Sequence, residues 1–172
     1  MLALRLAAPP PYGLRASLAN IMSETETVAT VRSTSVVTRV LLGFLALAEA
    51  FVVVWALFAP ASFYQSFPGA GQAWVSLLPP YNEHLITDVG ELSLALTVVL
   101  AAAALTGHWL LSVVAMIAFA VYTLPHVIFH SFHLEGFSRG EATVQTVGFV
   151  LQLSAAAVVA WLLWRDRPRR RY

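Results

Sequence analysis

Four runs of about twenty apolar residues, each bounded by proline, glycine or arginine, constrain this chain more than any other feature. They cover about Val36–Ala59, ended by Pro60; His84–Leu105, approached through Pro79-Pro80; Trp109–His130; and Val144–Trp164. At 1.5 Å per residue, about 20 helical residues cross the roughly 30 Å of hydrocarbon in a bilayer. Lipid-exposed backbone must satisfy its hydrogen bonds internally, so runs rich in Leu, Val and Ala read as helices. Charged side chains make up only 11% of the 172 residues, against about 25% in soluble domains, too few to cover a water-facing surface. The expected fold is therefore all-α: an integral membrane four-helix bundle, up-down-up-down, with both termini cytoplasmic.

The orientation follows from arginine, which supplies all ten basic residues. Arg32 and Arg39 stand at the start of the first span and five Arg follow the fourth, whereas the connections expected to face outward, 61–80 and 131–143, carry only Arg139. Basic residues stay in the cytoplasm, which places both ends there. Aromatic residues mark the two interfaces: Phe63, Tyr64, Trp74 and Tyr81 outside, Trp109, Trp161 and Trp164 inside. Residues 72–78 are read as a short interfacial helix. Residues 1–35 are expected to be disordered, since Pro9-Pro10-Pro11 stops a helix and 23–35 is rich in Ser, Thr and Glu. Met22-Ser-Glu-Thr-Glu resembles a natural start, so 1–21 is expected to be an upstream extension. The domain is then 36–164, followed by a basic cytoplasmic tail, 165–172, expected to meet lipid headgroups rather than nucleic acid.

Ionisable residues inside a bilayer cost roughly 2.5–3.5 kcal/mol each at a helix centre, and here they fall at helical spacing. His84, Asp88 and Glu91 share one face of the second span. His126, His130 and His133 share one face of the third, continued by Tyr122 and Thr123. Glu141, Gln145 and Gln152 share a stripe of the fourth with Gly148, and Glu49 stands alone near the middle of the first. The turn Thr106-Gly107-His108 makes the second and third spans an antiparallel pair. Asp88 and His126 each lie 19 residues from Gly107, so both should sit about 28 Å from that turn, at the same depth. These residues either line a pocket or merely emerge into water; neither helix reaches across the bilayer without the end turns that carry Asp88, Glu91 and His126, whereas His84, His130 and His133 are expected at the water interface. Pro125, lacking an N–H, is expected to bend the third span and aim His126 and His130 inward. Glu49 either floors the same pocket or hydrogen-bonds elsewhere as a neutral acid, and the glutamines also suit interhelical hydrogen bonding.

The absence of cysteine excludes disulfides, thiolate metal sites, haem attachment through Cys and Cys nucleophiles. No phosphate loop, dinucleotide fingerprint or nucleophile elbow is present. The candidate polar pocket is Glu49, His84, Asp88, Glu91, Tyr122, His126, His130 and Gln145. Asp88, His126, His130 and His84 form a possible ligand set for zinc, iron or manganese. Three further readings stay open: a proton relay through Glu49, Glu91 and the histidines, a lipid or quinone met by His/carboxylate acid-base chemistry, and an accessory subunit whose stripes only join helices. A homo-oligomer or a membrane-complex partner fits each of these.

The segments Tyr81-Asn-Glu-His-Leu-Ile-Thr-Asp-Val-Gly90 and Pro125-His-Val-Ile-Phe-His-Ser-Phe-His133 resemble small bacterial membrane proteins broadly similar to the DoxX-like four-helix group. That resemblance spans about Val36–Trp164. It implies a four-helix bundle in the bacterial plasma membrane and an association with redox or respiratory functions, with no catalytic residue carried over.

Overall fold

The computed structural model describes residues 33–78 and 80–167. Among these residues the regular elements are all helices, with no strand: α1 (Val36–Phe58), α2 (Pro60–Ser66), α3 (Glu83–Thr106), α4 (Trp109–Phe132) and α5 (Arg139–Arg165), plus a single 3₁₀ turn, Val75–Leu77. All but α2 are long and apolar enough to cross a membrane. Residues 1–32, with the expected start at Met22, and the tail beyond Arg167 lie outside the described residues.

The helix ends follow from local chemistry. Ser35 caps α1 by accepting from the Thr38 N–H at 3.1 Å, and Thr34 N–H donates to the Gly107 carbonyl at 2.7 Å. Residues 33–35 thus belong to the bundle rather than to a disordered lead. Asn82 caps α3, its side chain accepting from Leu85 N–H. Gly107 ends the helix at φ 64°, a left-handed conformation that glycine adopts without a Cβ penalty. His108 then accepts from Leu111 N–H at the start of α4. Pro60 does more than end α1. It sits in the first turn of α2, where its missing N–H costs nothing. In α5, Ser138 and Glu141 form a reciprocal capping box. The fourth long helix therefore begins five residues before the expected Val144, with Glu141 of the polar stripe acting as a capping group. Helix α4 runs through Pro125 to Phe132 without a break.

The most extensive pairing is between α1 and α3. A Cβ on Gly90 would lie 2.8 Å from Leu57 Cγ and 3.3 Å from Ala56 Cβ, so the Leu57 side chain packs in the space that the missing Cβ leaves. The buried face of α3 is Ile86, Gly90, Ser93, Leu96, Leu100 and Ala103. Arg39 secures the far end of the pair, donating to the carbonyls of Ala104 at 2.8 Å and Leu105 at 2.7 Å. A core of Leu42, Leu45, Leu96, Leu100, Ala115, Phe119 and Val159 joins α1, α3, α4 and α5. At the other end, Ala56, Phe63 and Ile86 form a second cluster with Trp55, Tyr64, Phe67 and Val75.

Helices α4 and α5 bury side chains in the bundle core over only part of their length. No residue of α4 beyond Thr123 is buried, and none of α5 between Thr146 and Ser154. The bundle is tight near the Gly107 turn and open near the connection between α1 and α3.

Gly90→Leu is expected to destabilise the protein by about 1–3 kcal/mol through overpacking, read as a lower thermal unfolding midpoint in detergent. Leu57→Ala in the same chain should restore most of that loss. An unchanged midpoint for Gly90→Leu would rule out the close approach.

Candidate functional site

The open half of the bundle encloses a cavity of about 720 Å³, within the range of small-molecule sites. Its walls come from every long helix. Helix α1 contributes Ala48, Glu49 and Val52, α3 contributes Leu85, Ile86 and Val89, α4 runs from Tyr122 to His130, and α5 contributes Val144, Gln145, Gly148, Phe149 and Gln152. The segment between α1 and α3 forms the roof with Phe63, Tyr64, Phe67, Pro68, Trp74, Val75 and Leu78. The roof is held by ring contacts: Phe63 to Phe67 at 4.7 Å between centroids, Trp55 to Phe67 at 6.0 Å, and Trp74 to Phe137 at 6.3 Å.

Into this apolar space project a few polar groups. Glu49 is 5% exposed and Gln145 is 6% exposed, and neither side chain makes a hydrogen bond among the described residues. The Thr123 hydroxyl and His130 Nδ1 are buried without partners. Six other helical hydroxyls, those of Thr97, Thr106, Ser112, Ser131, Thr143 and Thr146, bond back to the carbonyl four residues earlier. Thr123 does not, so its oxygen is left buried beside the cavity without a partner. Tyr122 is partly satisfied, its hydroxyl 3.3 Å from Ser93 Oγ. The aromatic groups of α4 form a ladder. Tyr122 stacks on His126 at 5.8 Å and 14°, His126 meets His130 at 4.6 Å, and Phe149 of α5 lies 5.6 Å and 5.5 Å from the two imidazoles. The four-residue spacing of Tyr122, His126 and His130 puts them one above another on the face turned to α5. His133 is drawn off this ladder, stacked on Phe129 with its Nδ1 at 2.7 Å from the Phe129 carbonyl.

Of the candidate pocket residues, the structure thus brings together Glu49, Tyr122, His126, His130 and Gln145. It does not bring His84, Asp88 or Glu91 to the cavity. With Gly90 turned to α1, those three residues lie roughly 100–160° around α3 from it, on the face left uncovered. His84 and Asp88 pair with each other at 3.5 Å, their side chains 87% and 42% exposed. Asp88 and His126 therefore do not share a site despite their matched distance from the turn. Among the described residues no three His, Asp or Glu side chains gather as a metal ion would require, so the ligand set of Asp88, His126, His130 and His84 does not assemble. The reason is rotational: the pairing of α1 with α3 sets which way α3 faces, and the turn to α4 does not.

The roof and Phe149 are absent from the candidate pocket that sequence reasoning selects, which takes Phe63, Tyr64 and Trp74 only as markers of the interface. The density of aromatic residues between Phe51 and Tyr81 is the available signal for the roof, since so many rings in one connection need each other to be buried. No family model, curated protein or solved structure matches this chain.

Because the chain has no cysteine, single-cysteine variants report accessibility without background. His84→Cys should react readily with a water-soluble maleimide and Gln145→Cys much more slowly. The opposite order would mean that the polar faces are turned the other way.

Proposed function

We propose that this chain is a multi-pass protein of the bacterial plasma membrane, up-down-up-down with cytoplasmic termini, that binds a membrane-soluble amphiphile of the lipid or quinone class. The observation carrying this reading is a cavity of about 720 Å³ with largely apolar walls and buried, unpartnered polar groups from three helices: Glu49, Thr123, His130 and Gln145. Burying polar groups without partners is unfavourable, and a ligand head that bonds to them removes that cost. Gln145 can donate and accept, the carboxyl accepts or donates with its protonation state, and each neutral imidazole does one with each nitrogen. Such a set suits a small head with hydroxyl or carbonyl oxygens, while Phe149, Phe63 and Val52 suit an apolar body. The likeness of residues 81–90 and 125–133 to the DoxX-like group is compatible with this reading.

A second reading is favoured by the same lining, in which a carboxyl and two imidazoles face one space: proton transfer at the ligand head by His/carboxylate acid-base chemistry. Binding is common to both readings and is tested first.

Trp74 lines the cavity, so the part of the five-tryptophan fluorescence that is lost in Trp74→Phe reports occupancy. The purified protein in detergent should show saturable quenching by a short-tailed benzoquinone, or saturable displacement of it by a monoacylglycerol. Glu49→Leu and His126→Phe should each weaken binding roughly tenfold, about 1.4 kcal/mol, while Asp88→Asn leaves it unchanged. No saturable binding, or equal binding by all three variants, would overturn the proposal.

A further inference from the structure

Below the cavity, along the same seam between α4 and α5, lies an apolar groove of about 610 Å³. Thr123 lines both spaces. It is 3% exposed and its hydroxyl is one of the buried groups without a partner. From the cavity side, Tyr122, His126, Phe149 and Gln152 lead to it; from the groove side, Ala120, Leu153, Ala156, Ala157 and Ala160 lead away from it. The two spaces therefore succeed one another on the same pair of helices with Thr123 as their common wall. The groove exists because α5 presents Ala156, Ala157 and Ala160 there, too short to fill the gap to α4. Its lower end is closed where Trp109 of α4 donates from Nε1 to the Leu163 carbonyl of α5 at 3.1 Å. Between Leu153 and Leu163 the helix rises about 15 Å, matching the roughly 15 Å of hydrocarbon in one leaflet.

We infer that cavity and groove are the two halves of one site: the ligand is a single-tailed amphiphile, its head among Glu49, Gln145 and the α4 histidines, its extended tail in the α4–α5 groove, reached sideways from the bilayer. This rests on the reading of the cavity as an amphiphile site and adds the tail, its length and its route. A groove open along its side to lipid admits a long chain without threading it beneath the aromatic roof. The oxygen of Thr123 lies at the junction, where a head-proximal oxygen of a lipid ester or a ring carbonyl of a quinone would meet it.

The test measures Trp74 quenching or its displacement by four probes in the same micelles: benzoquinones with a methyl or a decyl substituent, and monoacylglycerols with a short or an oleoyl chain. In the native chain the long-tailed member of one pair should bind at least roughly tenfold more tightly, about 1.4 kcal/mol. Ala157→Trp and Ala160→Trp, which fill the groove at exposed positions, should remove that preference while leaving the short-tailed probe bound as before. Val158→Trp, on an exposed face that lines neither space, should keep it. The head family whose tail preference responds to the groove identifies the source of the ligand, and either family supports the inference. A tail preference that survives both groove variants overturns the inference while the cavity reading stands. No binding of any probe overturns both. A change in oligomeric state caused by Ala157→Trp, read by light scattering, would make the groove a seat for a second copy and also overturn the inference.

Discussion

The contact of Gly90 with Leu57 and Ala56 determines how most of this bundle is arranged. With no side chain on Gly90, the Leu57 side chain seats directly against the α3 backbone, which locks the pair in rotation as well as in distance. In a medium without a hydrophobic drive between helices, such close approach is the main source of association. Once Gly90 faces α1, Ser93, Leu96 and Leu100 are carried with it into the core, and His84, Asp88 and Glu91 are turned out. Arg39, bonded to the last carbonyls of α3, fixes the pair against sliding. Helices α4 and α5 are then arranged around a finished pair, and they close on it at one end only.

Length and apolarity make the four long helices legible because those are the two quantities a bilayer selects for. Their ends are legible where a residue has a single strong preference, as with Gly107 after α3. They are less so where a residue serves two purposes. Pro60 stops one helix and starts another, and Ser138 with Glu141 extends α5 beyond its apolar run through capping that hydropathy does not register. Rotation about each helix axis is the least legible property. When nearly all faces are apolar, periodicity does not say which face is inside. The cost of charge in lipid argues for turning the polar stripe of α3 inward, but that cost falls steeply toward a helix end, where His84 and Asp88 lie and can pair with each other. The small residue Gly90 is the better indicator of the packed face.

The histidine ladder is legible for the opposite reason. Spacing alone groups His126 and His130 with Tyr122, and spacing is enough when the residues share one helix. Their partners across the cavity, Glu49, Gln145 and Phe149, belong to other helices. Which of them face the ladder depends on packing and not on any local pattern. The aromatic roof is a similar case, since its rings are brought together by the short helix α2 and the 3₁₀ turn between α1 and α3.

Thr123, His130 and the nearly enclosed Glu49 and Gln145 are polar groups that the fold buries without giving them partners. A molecule that supplies those partners acts as a component of the core as well as a cargo. Thermodynamic linkage then ties the persistence of the folded state to the abundance of that molecule in its surroundings: at a hundred times its dissociation constant an occupant adds about 2.7 kcal/mol. On the proposed reading, the folded state is most robust where such an amphiphile is plentiful and most readily lost where it is scarce.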